Sequence, residues 1–109
     1  MAMHQKHVDH VKKYVKRPDM ELLEALYRRL ASSMARKDAR TVSFKDSKEV
    51  GRLRRNFVMG RLGVKSKDKA DEAIMKVAEK MKGGGSNSRL TVCYLLTEHF
   101  DAKKKVMMK

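Results

Sequence analysis

From Arg89 to Phe100 the chain carries Leu90, Val92, Cys93, Tyr94, Leu95, Leu96 and Phe100, apolar around most of the circumference of a helix. Such a helix has no face to give to water, so the rest of the molecule must enclose it. Its densest apolar run, Val92 to Leu96, falls far short of the roughly 20 residues a membrane span requires, which points to the centre of a soluble fold. The chain has 109 residues, enough for one modest core. The prediction is all-α: a single domain, a compact bundle of about five short helices with basic termini. A weak helix or arm occupies 1–17, a helical core 18–102 and a basic tail 103–109.

The enclosing helices show themselves by spacing. Val8, Val11 and Val15 repeat at helical intervals, but three β-branched residues make a weak helix that depends on docking. His4, His7 and His10 lie on it. Their three-residue spacing turns each about 60° from the last and no cysteine lies near, so a solvated helix is the reading and no metal is expected. Pro18 breaks this helix and Asp19 caps the next, where Leu23, Leu26, Tyr27, Leu30 and Met34 form a core stripe running to about Ala35. Arg36 to Phe44 has no helical period and reads as an ordered loop. Val42 and Phe44 anchor it, Arg36, Lys37, Arg40 and Lys45 stay solvated, and Thr41 to Phe44 is too short for a strand without a partner.

A third helix opens at Asp46, with Glu49 completing a capping box, and closes at Gly63. At about 100° per residue Val50, Leu53 and Phe57 share one arc, while Lys48, Arg52 and Arg55 fall nearly opposite. Arg54 and Arg61 lie near the packing arc, placed to bridge to other helices. Gly51 and Gly60 cost roughly 1 kcal/mol each relative to alanine, which suggests close approach by another helix or, almost equally, glycines tolerated at the surface. Ser66 or Asp68 caps a fourth helix whose seam of Ala70, Ala73, Ile74, Val77, Ala78 and Met81 is mostly small. Gly83 to Gly85 end it, and Ser86-Asn87-Ser88 starts the fifth. The triple glycine lacks the following Lys-Ser/Thr and the preceding strand of a phosphate loop. After Asp101 the lysines 103 to 105 and Lys109 read as a frayed basic tail.

With these segments placed, the stretch from Pro18 to Phe100 resembles a small bacterial family of about a hundred residues, an all-α domain of unknown function. The resemblance rests on Leu22-Leu23, the Asp38-Ala-x-Thr-Val42 loop, Asn56-Phe57, Leu62-Gly63, Tyr94-Leu95-Leu96 and His99-Phe100. It implies a compact bundle of helices and carries over no functional residue. The chain departs from that family in having Ser32-Ser33-Met34-Ala35 where the family has a Gly-Pro turn, and in its many basic residues.

Charge supplies the functional expectation. The net charge is +14, and residues 36–67 hold 11 Lys or Arg against 3 acids. Residues 68–80 lean acidic, with 3 bases against 4 acids. A positive face is the expectation, and nucleic acid the partner class. Arg36, Arg40, Lys45, Lys48, Arg52 and Arg55, with Lys103, Lys104 and Lys105, are the candidate phosphate contacts. Aromatic residues are few and mostly on core faces, which favours sequence-independent backbone binding over stacking on single strands. A helix-turn-helix reading from Phe57 through a helix at Ser66 fails at Lys69, where an apolar residue should pack.

The alternatives are a basic subunit of a large assembly, a ribonucleoprotein or virus particle with an acidic protein partner, or a helical domain without a nucleic-acid role. No paired carboxylates, metal-ligand set or activated nucleophile can be assembled, so neither an enzyme nor a cofactor is expected. Cys93 has no internal disulfide partner, and the N-terminus lacks the apolar stretch of a secretory signal. The expected location is intracellular, cytoplasmic or nucleoid-associated, or within a virion, away from membranes.

Overall fold

All eight residues from Leu90 to Thr97 are buried, on a helix that spans Arg89–His99 and meets nearly every other element. The computed structural model describes residues 5–37, 39–83 and 85–107. In chain order the helices are α1 (Gln5–Lys12), α2 (Met20–Ala35), α3 (Ser47–Arg52), α4 (Lys67–Lys80), α5 (Arg89–His99) and α6 (Lys103–Met107). A π-helical segment, Leu53–Met59, continues α3 directly. The described residues contain no strand, and none of their helices is long and apolar enough to cross a membrane. The fold is all-α.

Local chemistry explains most boundaries. The Asp19 carboxylate accepts from the Leu22 N–H at 3.2 Å, and the Asp19 N–H donates to the Tyr94 hydroxyl at 2.7 Å, which ties the start of α2 to α5. Ser66, not Asp68, caps α4, accepting from the Lys69 N–H. Left-handed Gly63 and Gly83 follow the π segment and α4. The α4 seam of Ala70, Ala73, Ile74, Val77 and Met81 is buried, and α4 packs on both the π segment and α5.

Four expectations are corrected. The third helix is not uniformly α-helical. The N–H of Leu62 reaches the Phe57 carbonyl at 2.9 Å, five residues back, and this wider winding puts Leu53 and Val58 together in the core. Nor do its glycines admit a neighbouring helix. A β-carbon at Gly51 would meet only the Arg55 and Arg54 guanidiniums, at 3.6 and 3.8 Å. One at Gly60 would meet the Asn56 and Arg55 carbonyl oxygens, at 2.7 and 2.8 Å, so the crowding there comes from the π turn itself.

The loop after α2 does find a partner. The Val42 N–H donates to the Asn87 carbonyl and the Arg89 N–H to the Arg40 carbonyl, both at 2.8 Å, around a single antiparallel bridge between Thr41 and Ser88. The latter bond satisfies the first amide of α5 in place of a Ser88 side-chain cap. The chain ends are packed as well. Val11 of α1 and Val106 of α6 are buried, and Arg29 of α2 donates to the Val106 carbonyl at 3.0 Å, so the segment expected to fray is a docked helix as far as Met107. His4, Asp38, Gly84, Met108 and Lys109 lie outside the described residues.

Candidate functional site

Asp46 sets the direction of the α3–π element: its carboxylate accepts from the Lys48 and Glu49 amides at 2.9 and 3.4 Å. The expected capping box is only half made. Glu49 turns away from Asp46 and pairs with Arg89 of α5 at 2.9 Å, while the Asp46 N–H donates to the Ser43 carbonyl. Past this start, Leu53 and Val58 are buried in the core, Gly51 is covered by the Arg54 and Arg55 guanidiniums, and Lys48, Arg52 and Arg55 are exposed. Arg54 binds Asp71 of α4 at 2.9 Å, the bridge its place near the packing arc foretold. That guanidinium and, secondarily, Lys67 hold the Asp71 carboxyl below the usual carboxylate range.

The structure sorts the nine candidate cations. Arg36, Lys45, Lys48, Arg52 and Arg55 are exposed, and among the described residues none has a carboxylate within 4.0 Å. Arg40, expected in solvent, is half-buried. Its Nε is enclosed without a partner and its Nη2 reaches the Ala35 carbonyl at 3.5 Å, because the pairing with 87–89 pulls the loop inward. Lys103 bridges Asp19 at 2.8 Å and Glu21 at 3.0 Å. Its work is to fasten α6 to the start of α2. The Lys103 contact is the main reason the Asp19 carboxyl lies below its ordinary range, and the Lys103 ammonium is raised in return. Lys104 and Lys105 are exposed on α6, and the Lys105 ammonium stands beside Gly63, just past the π segment.

Next to the α3–π element a cavity of about 510 Å³ opens between it, the C-terminal end of α2 and the N-terminal end of α5. Arg36, Arg52 and Arg89 line it with Glu49, Ser33 and Asn56, over an apolar floor of Leu30, Leu53, Phe57 and Cys93. The Cys93 thiol is buried, which pushes its pKa up to about 12 and leaves it an uncharged part of that floor. Arg89 was not among the cations singled out from the sequence. One signal was available: a cation at the first position of a helix opposes the helix dipole, so it needs a carboxylate from elsewhere. Glu49 supplies it.

His10 of α1 serves the fold. His10 Nε2 donates to the Ser86 carbonyl at 2.9 Å, and its Nδ1 shares a 2.7 Å hydrogen bond with buried Thr91, so both ring nitrogens are engaged. Among the described residues no group of three His, Cys, Asp or Glu side chains is placed to hold a metal.

The sequence matches the family described as protein of unknown function (DUF2853) over residues 6–104. The chain belongs to this family. The match takes in α1 through the first residues of α6, beyond the stretch from Pro18 to Phe100 on which the resemblance rested. No curated protein matches the chain. The DUF2853 description names no ligand and no reaction, so the chemistry of the site rests on the geometry above.

Proposed function

We propose that this protein is a non-enzymatic module that binds the phosphate backbone of nucleic acid without reading its sequence. The contacts are Lys48, Arg52 and Arg55 on the α3–π element, with Arg36 and Lys45 beside them in sequence. The observation that carries this reading is the contrast in pairing. Arg54, Lys67, Lys76, Arg89 and Lys103 all meet carboxylates, whereas these five, all exposed, meet none among the described residues, as is also true of Lys104 and Lys105 on α6. Unneutralised cations gathered on one short stretch attract a polyanion and gain from the counterions it releases. The aromatic rings favour backbone over base contacts. Tyr94 is buried, and Tyr14, Tyr27, Phe44, Phe57 and Phe100 pack against the core.

The assembly-subunit reading relied on extended basic ends. Residues 5–107 do not supply them, since α1 and α6 both place valines in the core. The test is fluorescence anisotropy with random-sequence duplex DNA and RNA at low salt, using the wild type and a variant with Lys48, Arg52 and Arg55 changed to Gln. Binding that the variant loses supports the reading. No binding at about 50 mM salt, or binding indifferent to the three changes, refutes it.

A further inference from the structure

We propose that the cavity between α2, the α3–π element and α5 binds a small organic anion: a carboxylate or phosphate monoester carried on an apolar or aromatic body. This inference does not rest on nucleic-acid binding by the outer face. Its volume, about 510 Å³, falls within the range of small-molecule sites, and its walls divide into the two kinds such a ligand needs.

The charged wall holds three guanidiniums and one carboxylate, a formal +2 from Arg36, Arg52 and Arg89 against Glu49. The single carboxylate is already committed. Glu49 takes Arg89 Nη2 at 2.9 Å, and the Ala39 carbonyl takes Arg89 Nε at 2.6 Å. Arg89 is thereby fixed in place, with no partner for its Nη1 among the described residues. Arg36 and Arg52 have no carboxylate at all among those residues. One preorganised guanidinium and two adjustable ones match the forked hydrogen bonding of an oxyanion. Ser33 and Asn56 add neutral polar groups to the same lining.

The apolar wall is what separates this site from a patch that attracts any anion. Leu30, Leu53 and Phe57 line the cavity beside the arginines, and the Cys93 thiol stays protonated under them. Three of the lining residues, Leu53, Asn56 and Phe57, belong to the π segment. Wider winding of this kind recurs at functional sites, because it re-aims side chains that a regular helix would place elsewhere.

The experiment is amide chemical-shift titration of the full chain with phenyl phosphate, 2-naphthoate and inorganic phosphate. Binding of phenyl phosphate and 2-naphthoate should shift Ser33, Asn56, Phe57 and Arg89 together, with Kd below about 1 mM, and inorganic phosphate should bind roughly tenfold more weakly for lack of a body. Arg36→Gln or Arg52→Gln should weaken both organic anions about tenfold or more. Ser33→Phe fills the cavity without touching a charge and should abolish binding. Should that variant misfold, Arg36→Gln still decides, since Arg36 is exposed and its side chain makes no bond among the described residues.

Lys48→Gln with Arg55→Gln separates the two sites: it should lower duplex affinity and leave the small anions unaffected. No shifts at the lining residues would overturn the proposal. So would equal affinity for inorganic phosphate and phenyl phosphate, or the same loss from the Lys48/Arg55 pair as from Arg36→Gln.

Discussion

Gly51 and Gly60 lie in one continuous helical element, yet alanine should act on them in opposite directions. At Gly60 a β-carbon would fall 2.7 Å from the Asn56 carbonyl oxygen and 2.8 Å from that of Arg55. Ordinary contacts between heavy atoms begin about 0.7 Å further out, and both oxygens are main-chain atoms of the π turn that no rotamer change can move. Relieving the overlap distorts the turn at about 1–3 kcal/mol, offset in part by the roughly 0.4–1 kcal/mol that alanine gains by restricting the unfolded chain. The net for Gly60→Ala is a loss of about 1–2 kcal/mol, or a Tm lower by roughly 4–10 °C.

At Gly51 the added carbon meets only the ends of two flexible arginines, at 3.6 and 3.8 Å, within a regular turn of α3. Gly51→Ala should therefore stabilise by about 0.5–1 kcal/mol and raise Tm by roughly 2–6 °C. Thermal unfolding followed by circular dichroism measures both. A Gly60→Ala protein as stable as the wild type would refute the π turn as the source of crowding, and a destabilised Gly51→Ala would refute the easy contact with the two guanidiniums.

Docking of α6 should depend on pH at both extremes. The folded pKa of Asp19 lies below its ordinary 3.8, so its contribution is complete above that value and is lost as pH falls through the depressed one. The folded pKa of Lys103 lies above its ordinary 10.5, so its contribution is complete below that value and is lost as pH rises through the raised one. Limited proteolysis at the C-terminal end should show α6 protected between those limits, and Lys103→Ala should remove both dependences. Tyr94→Phe strips the acceptor from the Asp19 N–H and should cost about 1–3 kcal/mol in urea unfolding, with the helix content unchanged. Cys93 is buried with its pKa at about 12, so even where it lines the cavity its thiol should react with an aromatic disulfide reagent far more slowly at about pH 8 than a free cysteine does.

The fold was legible where one residue's chemistry settles a boundary or one period runs long enough to measure. Asp19, Ala35, Asp46 and Ser66 mark real helix ends, and the all-round apolar character of Leu90 to Leu96 places α5 at the centre. The π segment was not legible. A wheel at about 100° per residue sends Val58 away from the arc of Leu53, and only a five-residue turn brings both into the core.

The α6 segment escaped for a different reason. Val106 is one buried apolar residue after three lysines, which gives no period, and its docking is decided by Arg29, Asp19 and Glu21, far away in the chain. At the candidate site the exposed cations of α3 and the π segment follow from the helical wheel. The Glu49–Arg89 pair does not, because the capping-box pattern assigned Glu49 locally to a role that a more distant and fully charged partner takes.

Unpaired cations on the α3–π element, if they hold a phosphate backbone as proposed, must release its counterions. The most direct test is the slope of log affinity against log salt for random duplex DNA. With about five phosphate contacts the wild type should show a slope of roughly −4 to −5, and changing Lys48, Arg52 and Arg55 to Gln should reduce it to about −2, with little dependence on sequence. A wild-type slope near zero, or the same slope in the variant, would contradict it.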